Sequence, residues 1–287
     1  MENIKNYQIA EDLRQSSEYS QYIESLGWKS MRIQEGRIGF QIFMRRLGPV
    51  GIAKIQRVNL PLPWQKIDTF LKENKIMMCK IEPLDDGSQS LKFCDLLKKL
   101  GYKRSTWPLL GTKTLRVNLR PAENEIFNSF KKDCRYILRK CLVNNSRLAK
   151  NEFSVFYDIW KKSAKRKHLW IPSKTEYFAL VEAYKNKVFC LTVDDQAGAL
   201  VLIHKKTAFY YYAGATKEGT EANYPYLVVW EAMKEAKKQG CLVWDFEGIY
   251  DKRWPNKGWL GFSHFKKSFE GQEWEFLGSF EKWRWSF

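Results

Sequence analysis

Hydrophobic and polar positions change period several times along the chain, and each change predicts an element. A helix is expected from about Ser17 to Leu26, stopped by Gly27. Segments 30–34, 38–46 and 51–58 alternate as strands do, with Leu47-Gly48-Pro49 as a turn. Pro61 and Pro63 lead into a helix over 64–74, whose Ile67, Phe70 and Leu71 recur at helical spacing. "IMMCKIEP" reads as a buried strand ended by Pro83, and "SLKFCDLLKKLGY" as an amphipathic helix with Gly101 at its end. The pattern then begins again. "TKTLRVNL" is a strand, and Pro121 suits the first turn of one long helix over 122–145. Its Ile126, Phe127, Phe130, Cys134, Ile137, Leu138 and Cys141 share a face. Helical segments near 153–168 and 174–186 precede a meander at 187–193, 199–204 and 207–214. "YPYLVVWEAMKEAKKQG" is a helix ending at Gly240, "LVWDF" a strand, and 262–269 with 273–280 a closing strand pair. The chain thus divides into two mixed α/β halves joined near 105–112, each built as helices, a meander, then helix and strand.

Composition sharpens this. In 287 residues, hydrophobics at 44% and aromatics at 15% supply packed cores, so disorder is not expected. The formal charge of +17 points to a polyanionic partner, nucleic acid or an anionic membrane surface. The six cysteines stand singly and read as buried free thiols in a reducing compartment. No apolar signal core opens the chain, and no run reaches the ~18 apolar residues of a membrane span, so a cytoplasmic protein is expected. His168, His204 and His264 lack metal-ligand spacing, and Walker, dinucleotide and GxSxG motifs are missing. Neither a metal nor a nucleotide cofactor is expected.

Twelve cations fall between Lys131 and Lys167, among them Lys131, Lys132, Arg135, Arg139 and Lys140. They form either a phosphate-tracking stripe or a solvated helix face. Near the end, "FSHFKKSFEG" sets Lys266 and Lys267 among Phe262, His264, Phe265 and Phe269. An amphipathic strand explains it, and so does a lysine held beside a reacting group.

Several stretches, in order, resemble the Fem family of tRNA-dependent peptidyltransferases, which add amino acids to peptidoglycan precursors. They are "SSEYSQYIESLGW", "TLRVNLRPAENEIFNSFKKDCRYILRKC", "SAKRKHLWIPSKTEYF", "FYYYAGATKEGTEANYPYLVVWEAMKEAKKQGCLVWDFEGI" and "HFKKSFEGQEWEFLGSF". The resemblance implies an α/β chain of two acetyltransferase-like (GNAT-type) domains in tandem. These would cover 1–110 and 111–270, with 271–287 returning towards the first. It implies transfer from aminoacyl-tRNA to an amine of a UDP-linked or lipid-linked precursor, with peripheral contact with the inner membrane when the acceptor is lipid-linked; "EKWRWSF" is either the segment that rests there or a packed terminal strand. Lys266 takes the place of the family's Phe-Lys lysine, with Phe265 beside it. Arg166 matches a precursor-binding arginine, Tyr212 and Tyr210 a tyrosine strand, and Glu82 an acidic position at the acceptor end. Lys131, Lys132, Arg135, Arg139 and Lys140 would meet the tRNA. The opening helix lacks a lysine that some members use for the precursor phosphates, and Glu247 stands where a second glycine is usual. Two rivals stay open: an acyl-CoA-dependent N-acyltransferase of the same fold, against which "TKEGTEANYPY" offers no dense glycine loop, and a non-catalytic RNA-binding protein.

Overall fold

The computed structural model describes residues 7–84 and 90–284. They form two units, each with its own sheet. The first unit holds Glu11–Lys113, Asp251–Asn256 and 274–284. Its helix α1 (Ser17–Ser25) is capped by Ser16 Oγ, which accepts the Tyr19 N–H at 3.0 Å. Gly27, at φ +80°, closes it. Strands β1 (Lys29–Glu35), β2 (Ile38–Leu47) and β3 (Val50–Val58) form an antiparallel meander. Helix α2 (Trp64–Glu73) then crosses to β4 (Ile76–Pro83), which lies parallel to β3. Helix α3 (Ser90–Lys99) and the short β5 (Lys103–Arg104) come after it. Phe40, Ile42 and Ile55 from the sheet meet Ile67 and Leu71 of α2 in the core.

The second unit holds 7–10, Thr114–Tyr250 and Lys257–Glu273. Strand β6 (Lys113–Asn118) leads to α4 (Glu123–Ser129), α5 (Lys132–Val143), β7 (Leu148–Lys150), α6 (Phe153–Arg166) and α7 (Lys174–Tyr184). The meander is β8 (Val188–Val193), β9 (Ala197–His204) and β10 (Thr207–Ala215). Short α8 (Lys217–Glu221) and long α9 (Tyr224–Lys238) cross to β11 (Val243–Asp245), which is parallel to β10. Each unit therefore repeats one plan, three antiparallel strands and a helical crossover to a parallel fourth. Helix α10 (Leu260–Lys267) and β12 (Gln272–Glu275) come next. Strand β13 (Phe280–Trp283) then joins the first unit's sheet between β4 and β5.

Three features depart from the expectations. First, neither unit is one run of chain: 7–10 belong with the second and 251–256 with the first. Second, the helix expected over 122–145 is two helices. Phe130 and Lys131 are extended (ψ 154° and 149°), and the Lys131 N–H leaves the helical pattern to donate to Ser268 O at 3.0 Å. Phe130 meanwhile packs edge-on against Trp230 and Phe269, at 5.5 and 5.2 Å between ring centres. A local break is exchanged for tertiary burial. Third, 262–269 is not a strand but mostly α10. Phe262, Phe265 and Phe269 are spaced three and four apart, a helical spacing that an alternation reading overlooks. The aromatic residues Trp285 and Phe287 lie outside the described residues.

Candidate active site

The group around Lys266 is built by α10 and the turn after β11. Near the end of α10, the Lys266 ammonium donates to Phe246 O at 2.7 Å and Gly248 O at 2.8 Å, the carbonyls on either side of Glu247. The Phe262 ring lies 4.8 Å from Nζ and the Tyr210 ring 5.9 Å. An ammonium has three donors, and the described residues accept two, which leaves one for a further oxygen. Burial lowers the Lys266 pKa to about 8, while the carboxylates of Glu247 and then Asp245 act to raise it. Lys237 shows that a lysine on carbonyls is not by itself a site, since it holds Leu119, Arg120 and Pro121 together from an ordinary helix face. What sets Lys266 apart is its aromatic, desolvated surroundings.

The turn it holds is itself pinned. Glu247, at φ +61°, donates its N–H to Asp245 Oδ1 at 2.8 Å. Asp245 also accepts from Thr114 Oγ1 at 2.6 Å and from Arg116 Nε at 2.8 Å, and both ionic side chains are almost fully buried. Asp245 thus has a structural part, holding the turn against Thr114 and Arg116. Lys267, one step round the helix, pairs with Glu273 instead.

The two tyrosines separate. Tyr210 is buried against Trp244, Phe246 and the Lys266 ammonium, and burial pushes its phenol well above the ordinary range. Register with β9 shifts between Tyr210 and Tyr212, a bulge at Tyr211. Such an insertion reverses the facing of the residues after it. Tyr212 accordingly stacks on Trp160 of α6, 4.0 Å away, on the opposite side of the sheet. Helix α6 comes this close because Gly214 has no side chain: a Cβ there would stand 2.8 Å from the Trp160 Cα. Phe265 packs on Tyr226 and Phe269 at 4.9 and 5.5 Å. Arg166, exposed at the end of α6, donates to Ala215 O at 3.1 Å and Thr220 Oγ1 at 3.3 Å, not to the Lys266 group. The structure thus brings Lys266 and Tyr210 together, packs Phe265 on Tyr226 and Phe269, and sets Tyr212 and Arg166 between β10 and α6.

Glu82 lies in the first unit, buried on β4. Its Oε1 accepts the N–H groups of Leu109 and Leu110 at 2.7 and 3.3 Å, whereas its Oε2 is buried with no partner among the described residues. Gln56, opposite it on β3, has an equally unpartnered Oε1. Two strand positions away, Lys54 sits over Trp28 at 4.5 Å. Burial and Arg14 lower its pKa to about 8, against the pull of Glu82. Sequence reading missed Lys54 and Gln56. The signal was there in "AKIQR", where a lysine and a glutamine alternate with core residues of a buried strand.

The basic stripe is uneven. Lys131, Lys132, Arg139 and Lys140 are exposed, with Arg139 over the Phe127 ring and Lys140 over Tyr136. Arg135 instead turns back to the carbonyls of Asn128 and Phe130. Arg147 pairs with Glu152 and Asp195, and Lys150 with Glu235. Among the described residues no helix is long and apolar enough to cross a membrane, and no His, Cys, Asp and Glu cluster could hold a metal ion.

Residues 193–283, from the end of β8 through β13, match the FemAB family model. No curated protein sequence matches the chain. A crystal structure of FemX superposes with a TM-score of 0.81, covering 95% of this chain and 92% of its own at 16% identity. L-PGS from Bacillus licheniformis gives 0.56, covering 90% of this chain and 84% of its own at 11% identity. A tandem GNAT protein from the clavulanic acid biosynthesis pathway gives 0.54, over 89% and 82% at 9% identity. At such identities the likeness is one of fold, and the fold is two GNAT-type units in tandem, as the sequence led us to expect. The Fem resemblance holds in sequence and in fold: residues 193–283 carry the FemAB pattern on a frame like that of FemX.

Proposed function

We propose that the protein is a Fem-type aminoacyltransferase, moving an amino acid from aminoacyl-tRNA to an amine of a peptidoglycan precursor. The observation that carries this reading is the Lys266 ammonium, desolvated among rings and held on two carbonyls with a donor to spare. Attack by an amine on the ester forms a C–N bond and puts negative charge on the carbonyl oxygen. Collapse breaks the C–O bond and puts that charge on the ribose oxygen. An ammonium fixed beside both positions stabilises each in turn, and its proton can pass to the leaving oxygen. Low surrounding polarity strengthens the interaction. The ester is already activated, so the reaction needs neither metal nor nucleotide cofactor.

Glu82, with its unpartnered oxygen, is our candidate to orient the incoming amine or take its proton. Arg166 offers a guanidinium fork for a phosphate of the UDP-linked or lipid-linked precursor. Tyr212 would bind its sugar or peptide, and Tyr210 and Phe265 would shape the surroundings of Lys266. Lys131, Lys132, Arg139 and Lys140 suit tRNA phosphates, and Arg135 less so because it is engaged with carbonyls. Such an enzyme works in the cytoplasm, at the inner face of the plasma membrane when the acceptor is lipid-linked. The acyl-CoA alternative has less support, since the β10 to α9 connection holds helix α8 in place of a glycine-rich loop.

The test is a mass-spectrometric transfer assay with a pool of charged tRNAs and soluble or lipid-linked precursor. The expected result is a precursor heavier by one amino-acid residue, a gain abolished by RNase. If neither precursor gains mass with intact charged tRNA present, the reading fails. The charge state of Lys266 adds a second expectation. The ammonium is the active form, so activity is present below its pKa and lost above it. A plot of kcat/KM against pH should fall through about 8. Glu247→Gln removes the leading influence that raises this pKa and should move the limb to lower pH. An unmoved limb would mean that Glu247 does not act on Lys266.

A further inference from the structure

Between α6 and α7 the chain exposes two adjacent apolar side chains, Leu169 at 61% and Trp170 at 82%. Trp170 is the most exposed large aromatic among the described residues. The loop that carries them is fastened at both ends. Leu169 N–H donates to Ala164 O at 2.9 Å and Lys167 N–H to Ser163 O at 3.2 Å, with His168 left-handed at φ +53°. On the far side Tyr157 Oη donates to Pro172 O at 3.1 Å, and Ser173 and Glu176 cap α7 reciprocally. In this kind of helix ending the apolar residue after the left-handed position usually folds back onto its own helix. Leu169 does not. An ordered backbone therefore presents an apolar pair to water, an unfavourable arrangement unless another surface covers it.

Charge indicates what that surface is. Between Lys161 and Lys174 the chain has six lysines and arginines and no acid. All six are exposed. Burial and then the nearby Arg166 lower the Lys167 pKa. The nearby acids are few. Glu176 is engaged in its cap, Glu218 feels Arg166 and Lys217, and Asp158 precedes the stretch on α6.

We propose that the 161–174 connection docks the protein on an anionic phospholipid surface. Leu169 and Trp170 enter the headgroup layer, and the surrounding lysines meet the phosphates. A nucleic acid is the weaker match, because a base can stack on Trp170 but offers nothing to an exposed leucine beside it. The loop is ordered before contact, so little conformational freedom is lost on docking. This inference does not depend on the transfer reaction.

The test is co-sedimentation of the full chain with vesicles of phosphatidylcholine alone or mixed with phosphatidylglycerol. Binding should require phosphatidylglycerol and weaken steeply as salt is added. Trp170→Ala should weaken it about ten-fold, and the Leu169→Ala/Trp170→Ala pair further, by loss of buried apolar area. Both variants should melt as the parent does. Failure to bind anionic vesicles would overturn the proposal, as would equal binding to neutral ones. Undiminished vesicle binding by the double variant would place any membrane contact elsewhere. Loss of tRNA binding in the double variant, with vesicle binding intact, would assign the loop to RNA and sink the proposal.

Discussion

Lys266→Ala should lower kcat for aminoacyl transfer by about 10²–10³, the range found when a single oxyanion donor is removed. The mutation deletes the one cation held among Phe262, Tyr210 and the turn carbonyls. It also frees the Phe246 and Gly248 carbonyls, so some loss of stability accompanies the loss of rate. Lys237→Ala provides the comparison. It frees the carbonyls that Lys237 holds, far along the chain from the candidate chemistry, and should reduce stability without changing kcat per folded molecule. Single-turnover rates beside melting curves separate the two effects. If Lys266→Ala retains the parent's rate, Lys266 is a structural staple like Lys237 and the mechanism proposed for it is wrong.

The second large effect concerns stability. Asp245→Ala should destabilise the second unit by about 3–5 kcal/mol, the usual consequence of removing one partner from a buried ion pair. Arg116 would keep a desolvated guanidinium without its carboxylate, and Thr114 Oγ1 and the Glu247 N–H would lose their acceptor. In a unit of this size such a loss lowers Tm by about 10 °C. Asp245→Asn keeps an oxygen for part of this network and should be milder. Calorimetry of the variants decides the matter. A loss below about 1 kcal/mol would show that water or rearrangement replaces the carboxylate. Because Asp245 pins the turn whose carbonyls hold Lys266, the variant should also transfer more slowly in its folded fraction.

How far the site was legible depended on the kind of signal. Lys266 stood out because a cation among aromatics is unusual, but its strand assignment was wrong: two adjacent lysines between phenylalanines look like alternation over a short window. The distinction lay in the three- and four-residue spacing of Phe262, Phe265 and Phe269. Tyr210 and Tyr212 appeared as one feature because two residues apart means one face in a regular strand. The Tyr211 bulge reversed that, and nothing in "FYYYAGA" marks an extra residue. Lys54 was passed over because a single lysine in a strand reads as a solvent-facing position. Burial first, and then the Arg14 guanidinium brought in from another segment, make it a perturbed amine.

The sequence by itself determined the repeated plan of two α/β units, most element positions and the Fem resemblance. Periodicity, capping residues and turn glycines act over a few residues, and the ordered motifs are written in the chain directly. The tertiary structure alone decided the break at Phe130, the discontinuous make-up of each unit, and the opposite facing of the two tyrosines. It also decided which cations are engaged and which are exposed. These outcomes depend on energies shared between distant segments: Phe130 against Trp230 and Phe269, Lys131 against Ser268, Asp245 against Arg116. Local propensity cannot register such contacts, because the residues that make them are neighbours only after folding.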